Sequence, residues 1–183
     1  MTPAASLPRT EIGAPDASEY APYYGRYISL VSAADILAAL EEQPRETQAL
    51  LSALSEAHGH YRYAPDKWSV KELLGHLIDT ERVFAYRALR IARNDRTPMA
   101  GFEQDDYVRH GDFEVRQLAN LIEEFACVRR ASLFLFQQFS PEAWMRRGIA
   151  NQKEISVRAL AYIIAGHELH HRQVLRAKYL TER

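Results

Sequence analysis

Cysteine is almost absent from this sequence, and the one residue of that type is Cys127 among 183 residues. A single thiol excludes an internal disulfide and any CxxC redox or zinc-ribbon motif, and it favours a reducing compartment. An excess of positive charge is absent too, since 23 Lys and Arg residues face 24 Asp and Glu residues, for a net charge of -1. This balance argues against nucleic acid or an anionic membrane surface as the main partner.

Long hydrophobic runs are also missing. The chain nowhere has about 18 consecutive apolar residues, the length that a helix needs to cross a bilayer. Its first residues show no basic start followed by an apolar stretch, as a secretory signal would. We therefore expect a soluble, cytoplasmic protein. Because 47% of the residues are hydrophobic, a chain of this length can bury one core, and one domain is expected.

Proline and small residues dominate the beginning of the chain. Residues 1–28 are predicted to form an N-terminal arm with a loose tip, whose aromatic cluster EYAPYYGRYI pins it to the body. Residues 29–183 are predicted to form the single domain. A helical pattern starts there near Ala33, and Pro44 interrupts it, which predicts a helix pair or one broken helix.

Three further segments carry apolar residues at the three- and four-residue spacing of long helices. The first starts near Val70, because Ser69 and Glu72 form a capping-box pattern, and it runs to about Arg93. The second lies within FEVRQLANLIEEFACVRRASLFLFQQF, whose cysteine is expected to be buried as a small hydrophobic residue. The third begins after Ser156, which is predicted to cap it.

The segments between these helices give no convincing strand pattern. Residues 148–155, GIANQKEI, are predicted to be a loop, and residues 94–112 form a connection long enough to be a crossover or a lid over a site. About four long helices with one long connection predict an all-α fold, a four-helix bundle with a long crossover connection.

The last helix contains the sequence HELHH at residues 167–171. On a helical wheel with about 100° per residue, the apolar side chains of this helix centre close to His167. His171 lies about 40° away, inside the apolar stripe, whereas His170 lies about 60° away on the other side, at its edge. Two imidazoles one turn apart on a core-facing surface can reach one metal ion, so His167 and His171 are candidate ligands.

The same five letters match the HExxH signature of zinc peptidases. That signature requires a third ligand downstream, either a histidine six residues after the second histidine or a more distant glutamate. Here the first position is Ala177, and Glu182 is the one acidic residue that follows. A peptidase is therefore disfavoured, and Glu168 is expected at the edge of the stripe, behind the ligands or on the surface.

A third histidine, His76, lies on the helix that starts near Val70, at the border of its apolar stripe. Glu81 falls inside that stripe, where an unpaired carboxylate costs on the order of several kcal/mol. Glu81 is the candidate catalytic residue, since it could hydrogen-bond a ligand or carry a proton. The favoured alternative is a buried ion pair of Glu81 with Arg87 or Arg90.

Three stretches, KWSVKELLGHLIDTERVFAYRALRIARND, PMAGFEQDDYV and AYIIAGHELHHRQVL, resemble the DinB-like proteins, also called YfiT-like metalloenzymes. The resemblance extends from about Tyr20 to the end. It implies a four-helix bundle in which one histidine of the second helix and an HxxxH pair of the last helix bind a metal. Carried over by position, these ligands are His76, His167 and His171. Zn or Ni is the expected divalent ion, with Fe and Mn as alternatives.

The resemblance also implies chemistry. Family members with known activity are metal-dependent transferases that use bacillithiol, mycothiol or a related small thiol, and a mycothiol-dependent isomerase; others resemble metal-dependent hydrolases. A three-histidine site keeps a coordination position open, and its metal can lower the pKa of a bound thiol or water. The leading expectation is a thiol-dependent S-transferase acting on a small electrophile, with a hydrolase of unknown substrate as the alternative.

Two further questions stay open from the sequence. The bundle could bind a metal or a small ligand without catalysis, and a homodimer is an open alternative to a monomer. The long connection supplies candidates for contact with a substrate or cofactor, because functional residues favour loops. These candidates are Asp105, Asp106, Tyr107 and His110.

Overall fold

Four long helices dominate the computed structural model, which describes residues 12–33 and 35–180. The predicted tip of the arm, residues 1–11, lies outside this range. Short helices and a two-stranded antiparallel sheet accompany the long ones. The elements are α1 (Gly25–Ile28), α2 (Ile36–Ser52), α3 (Glu56–Gly59), α4 (Val70–Ala92), α5 (Gln104–Arg109), α6 (Leu118–Gln137), α7 (Pro141–Met145), β1 (Arg147–Ala150), β2 (Lys153–Ser156) and α8 (Val157–Val174).

The four long helices form the predicted bundle. Helices α2 and α4 each pack mainly against α6 and α8, which places α2 and α4 at opposite corners. The buried core runs along the bundle and includes Leu40, Leu74, Leu121 and Leu160, one from each helix. The expectation of an all-α four-helix bundle is thus confirmed. Among the described residues, no helix combines the length and apolar character needed to span a membrane.

The starts of α4 and α8 follow the predicted caps. The Ser69 hydroxyl accepts a hydrogen bond from the Glu72 amide at 3.1 Å, and the Glu72 carboxylate accepts one from the Ser69 amide at 2.8 Å. The Ser156 hydroxyl accepts one from the Ala159 amide at 3.0 Å. Both caps satisfy free backbone donors, so they fix where the two helices that carry His76 and HELHH begin.

Helix α2 is continuous, so the predicted break at Pro44 is wrong. A proline has no amide hydrogen for the carbonyl four residues earlier, which here belongs to Leu40. Arg129 of α6 donates its Nη1 to that Leu40 oxygen at 3.4 Å. A side chain of the neighbouring helix thus donates to the carbonyl that the proline leaves without its helical partner.

The prediction of a loop at residues 148–155 is wrong. These residues form most of a β-hairpin. Strands β1 and β2 pair in antiparallel register, with Gly148 opposite Ile155. The two residues of the turn, Asn151 and Gln152, have left-handed backbones with φ of 49° and 61°. Two-residue turns of this kind usually have the sequence Asn-Gly. Because this turn has glutamine in place of glycine, the hairpin could not be recognised from the sequence. The Met99 amide donates to the Ile149 carbonyl at 2.9 Å, which ties the α4–α6 connection to the hairpin.

Cys127 is exposed, contrary to the expectation of a buried residue. The inner face of α6 carries Phe125, Arg129, Ser132 and Phe136, all buried and spaced by three or four residues. Cys127 lies two positions from both Phe125 and Arg129, which turns it about 200° away from each. Cys127 therefore points outward, because the inner face of α6 includes the buried charged residue Arg129.

The segment before the bundle packs along α8. The Tyr162 hydroxyl donates to the Ile12 carbonyl at 3.1 Å, and Arg158 donates its Nε to the buried Glu19 carboxylate at 2.8 Å. At Gly166 an added Cβ would lie 2.0 Å from the Tyr27 carbonyl oxygen, so only glycine permits α1 to approach this closely. The division into an arm and a domain of residues 29–183 stays a prediction.

Candidate metal centre

Three histidine side chains from α4 and α8 meet inside the bundle. Nε2 of His167 lies 3.0 Å from Nε2 of His76 and 3.0 Å from Nε2 of His171. One ring nitrogen from each residue lies within 4.8 Å of the other two. His76, which the helical wheel placed at the border of its stripe, is buried because the Trp68 ring covers it at a centroid distance of 4.7 Å.

Burial keeps these imidazoles uncharged near neutral pH. It lowers the pKa of His76 to about 4. Burial also lowers the pKa values of His167 and His171 well below 6.5, and the neighbouring imidazoles add to the effect. A neutral imidazole is the form that binds a metal. His170 lies outside the cluster, and its ring packs against Tyr27 at 5.4 Å.

The donor set and its spacing fit a divalent metal. A tetrahedral zinc ion with Zn–N distances of about 2.0–2.1 Å places its nitrogen ligands about 3.3 Å apart. The two separations of 3.0 Å between Nε2 atoms are close to that value. Imidazole nitrogen suits Zn, Ni and Fe alike, so the donors do not select one of these ions. His76, His167 and His171 could therefore hold a divalent ion without a large rearrangement.

A buried ion-pair network lies directly behind the histidines. Arg129 binds the Glu81 carboxylate with Nε at 2.8 Å and Nη2 at 2.9 Å, and it binds Glu168 with Nη1 at 2.6 Å. The Thr47 hydroxyl donates to the second oxygen of Glu168 at 2.6 Å. Burial opposes the charge on Arg129, but the two carboxylates raise its pKa above the ordinary value. One guanidinium thus ties α4 to α8 beside the histidine cluster.

The expected ion pair of Glu81 exists, but its predicted partners are wrong. Arg90 binds Asp95 at 2.6 Å instead, and Arg87 donates to the Ala100 carbonyl at 2.8 Å. Glu81 points into the bundle toward α6, so arginines on its own helix cannot reach it. Glu168 is 1% exposed, and thus lies behind the ligands, not on the surface.

A cavity of about 450 Å³ opens beside His76 and His167, and we call it the histidine cavity. Tyrosine and phenylalanine side chains form one part of its wall. Polar residues line it where the α4–α6 connection and the hairpin meet. The aromatic residues are Tyr23, Tyr24, Tyr27, Phe84 and Phe102, and the polar ones include Thr80, Glu103, Gln104, Asp105, Asn151 and Lys153.

The four candidate residues of the connection separate into two groups. Asp105 lines the histidine cavity. The other three do not: Asp106 pairs with Arg109 at 2.5 Å, Tyr107 packs against Phe102 at 5.1 Å, and His110 is exposed, with Nδ1 2.8 Å from a backbone oxygen. The connection does border the cavity, but through residues 102–105 and not through Tyr107 or His110.

Three residues that surround the cluster were not predicted from the sequence. Arg129 had a usable signal, because it shares the inner face of α6 with Phe125 and Phe136. Thr47 and Tyr27 had none. They reach Glu168 and the His167 ring only because α2 and α1 pack against α8, with the Tyr27 and His167 ring centroids 5.2 Å apart.

Fold and site together define a four-helix bundle with a cluster of three histidines in its interior. The family profile of the DinB superfamily matches residues 39–175, which is most of the chain. The chain belongs to this superfamily. No curated protein sequence matches it significantly.

Solved structures share the fold at low sequence identity. YfiT from Bacillus subtilis, described as a probable metal-dependent hydrolase with an unusual four-helix bundle topology, is 14% identical, with a TM-score of 0.68 over 88% of this chain and 91% of that one. The DinB-like protein YjoA from Bacillus subtilis is 18% identical, with a TM-score of 0.59 over 79% and 90%. A mycothiol-dependent maleylpyruvate isomerase is 11% identical, with a TM-score of 0.64 over 80% and 61%. The resemblance to DinB-like and YfiT-like proteins is confirmed.

Proposed function

We propose that this protein is a metal-dependent enzyme that transfers a small thiol to a small electrophile, with His76, His167 and His171 as the metal ligands. One observation carries the proposal: three neutral imidazoles converge within 4.8 Å, and two of them, those of His76 and His167, line a cavity of about 450 Å³. A structural zinc site is closed by four protein ligands, whereas a catalytic one uses three and leaves a position for substrate. The cavity lies where that position would open.

The residues of the chain have separable tasks in this proposal. When bound, a divalent ion supplies positive charge that lowers the pKa of a coordinated thiol or water. The neutral imidazoles leave that charge undiminished. The aromatic wall, with Tyr27 and Phe84, packs against the apolar part of a substrate and excludes water. Lys153 and Asp105 place charges of opposite sign at the cavity for the polar groups of the thiol or the electrophile.

The surroundings of the histidines favour a thiol over water as the nucleophile. The nearest buried carboxylates, Glu81 and Glu168, both bind Arg129. Activation of water profits from a general base placed next to it. A thiol, with an ordinary pKa of about 8.5, needs only a modest shift to ionise at neutral pH. The shared fold with a mycothiol-dependent isomerase also supports a thiol. A cytoplasmic location, where small thiols stay reduced, is part of the proposal.

Hydrolysis is the second candidate. The similarity to YfiT over 88% of the chain supports it. Glu103 and Asp105 line the histidine cavity, and either could serve as a base for an attacking water. Both candidates use the same ligands and differ in the nucleophile.

Metal content tests the ligand set. Protein without a histidine tag is loaded with Zn²⁺ or Ni²⁺, dialysed and analysed by mass spectrometry of the elements. Wild type should retain about one ion per chain, and His76→Ala and His171→Ala should retain almost none, because two imidazoles bind far more weakly than three. His170→Ala is the matched control on the same helix and should retain the ion. Full retention by all variants, or none by wild type, would contradict the site.

Turnover separates the two candidates. Metal-loaded protein is incubated with small thiols and an activated aryl halide, and in parallel with a panel of esters and amides. Thiol consumption above the uncatalysed rate, lost in His76→Ala, supports the transferase. Hydrolysis without thiol consumption supports the second candidate. Absence of turnover in both panels by metal-loaded protein would count against an enzyme.

A further inference from the structure

A second cavity of about 470 Å³ lies between α4 and the α4–α6 connection, and we call it the arginine cavity. Arg82, Arg87 and Arg90 line it, together with Tyr86 and Tyr107, whereas no aspartate or glutamate among the described residues does. Its remaining lining is apolar side chains and the backbone of residues 98–101. The chain as a whole has no excess of basic residues, so this separation of charge is local.

Arg87 differs from the other buried charged side chains that the structure describes. The other buried charged side chains of residues 12–33 and 35–180 each have an oppositely charged partner within 4 Å: Glu19, Lys71, Glu81, Arg129, Glu168 and Arg172. Arg87 is 3% exposed, and no carboxylate in the described part of the chain pairs with it. The other two arginines of the cavity are paired: Arg82 with Glu124 at 2.6 Å and Arg90 with Asp95 at 2.6 Å.

The contacts of Arg87 leave part of its guanidinium available. Nη2 donates to the Ala100 carbonyl at 2.8 Å, and Tyr24 is a second polar neighbour. The guanidinium carbon lies 5.6 Å and 5.8 Å from the centres of the Phe84 and Phe102 rings. These rings and the carbonyl orient the group, but they do not neutralise it. A buried cation with no counter-ion in the described part of the chain is costly, and an anionic ligand would offset that cost.

We propose that the arginine cavity binds a small organic anion, a carboxylate or a phosphate monoester with an apolar or aromatic body. Arg87 holds the anionic head, because a planar guanidinium matches two oxygens of such a group at once. The apolar body packs against Phe102 and Tyr107. The site requires no metal, so it can be tested independently of the proposed function. Phe102 also lines the histidine cavity, so the occupant of one cavity contacts a wall of the other.

Calorimetric titration of the full chain, without added metal and at low salt, tests the site with phenyl phosphate, benzoate and inorganic phosphate as probes. Wild type should bind phenyl phosphate or benzoate saturably at about one per chain, and the tighter of the two identifies the head group. Arg87→Met should weaken binding at least tenfold, because it removes the charge-assisted hydrogen bonds. Arg93→Met removes an exposed arginine that directly follows α4 and lies outside the cavity, and it should change affinity less than twofold.

Two results would overturn the proposal. One is wild type that binds neither organic probe, and the other is an equal loss in Arg87→Met and Arg93→Met, which would indicate a general charge effect. If Arg87→Met does not fold, Arg87→Lys decides the question. Lysine keeps the charge but not the planar pair of donors, so affinity should still fall several-fold. Unchanged affinity in Arg87→Lys would then count against a head group held by this residue.

Discussion

The Arg129→Met variant probes the interaction that holds the two histidine-bearing helices together. Methionine fills much of the volume of the arginine stem but removes its charge. The side chains of Glu81 and Glu168 are 4% and 1% exposed, so the substitution leaves two carboxylates buried without a cation. Breaking a buried ion pair from one side costs about 3–5 kcal/mol. The Leu40 carbonyl also loses its donor, which adds about 1 kcal/mol.

The expected loss is therefore about 4–6 kcal/mol in the free energy of unfolding. For a chain of this size, about 2–4 °C in Tm corresponds to 1 kcal/mol, so Tm should fall by about 8–24 °C. Urea unfolding followed by circular dichroism at the helical band measures the free energy directly. Arg130→Met is the matched control, because Arg130 is exposed on the next position of α6, and it should stay within about 0.5 kcal/mol of wild type.

A compensated variant tests the cause. Glu81→Gln/Arg129→Met/Glu168→Gln removes all three charges and keeps hydrogen-bonding groups, including an acceptor for Thr47. It should recover at least half of the loss, because the penalty arises from unpaired charge and not from packing. An Arg129→Met protein within about 1 kcal/mol of wild type would refute the argument. So would a triple variant no more stable than the single one.

Three further predictions concern other parts of the fold. Gly166→Ala should destabilise the protein by about 1–3 kcal/mol in urea unfolding, because the new methyl group meets the Tyr27 carbonyl; wild-type stability would contradict the tight contact. Burial opposes ionisation of Glu19, but Arg158 and a backbone amide outweigh it and lower its pKa from 4.5 to about 2. The stability that Glu19 contributes is therefore complete above pH 4.5 and lost as the pH falls toward 2, so the Tm difference between wild type and Glu19→Gln should shrink over that range. Ser69→Ala should cost about 1 kcal/mol in urea unfolding through loss of the α4 cap, and unchanged stability would contradict the role of the hydroxyl.

Much of the bundle could be predicted because its signals are local. The caps at Ser69 and Ser156 lie next to the helices that they start, and HELHH presents two imidazoles by helical spacing alone. His76 needed the family resemblance, since its wheel position is marginal. It is buried only because Trp68 and α8 cover it.

The features that could not be predicted depend on partners distant in sequence. Proline interrupts helices in general, but α2 continues through Pro44, and Arg129 of another helix donates to the Leu40 carbonyl that the proline frees. The same arginine forms the ion pair with Glu81, although Arg87 and Arg90 are nearer to Glu81 in sequence. The turn at Asn151 and Gln152 depends on an uncommon residue pair and on the Met99 backbone beside it. In each case, contacts between elements distant in sequence determined the structure, and these contacts cannot be read from the neighbouring residues.

If the histidine cluster binds a metal as proposed, the distance along the chain between its two halves would link metal supply to the lifetime of the protein. His76 and His167 are 91 positions apart, so only the folded chain brings the three rings together. An ion that binds the folded state alone at a hundred times its Kd adds about 2.7 kcal/mol to the free energy of unfolding. An increment of that size lowers the fraction of unfolded chains that proteases can attack about a hundredfold. Cells starved of the ion would then contain less of the protein, in addition to less of its activity.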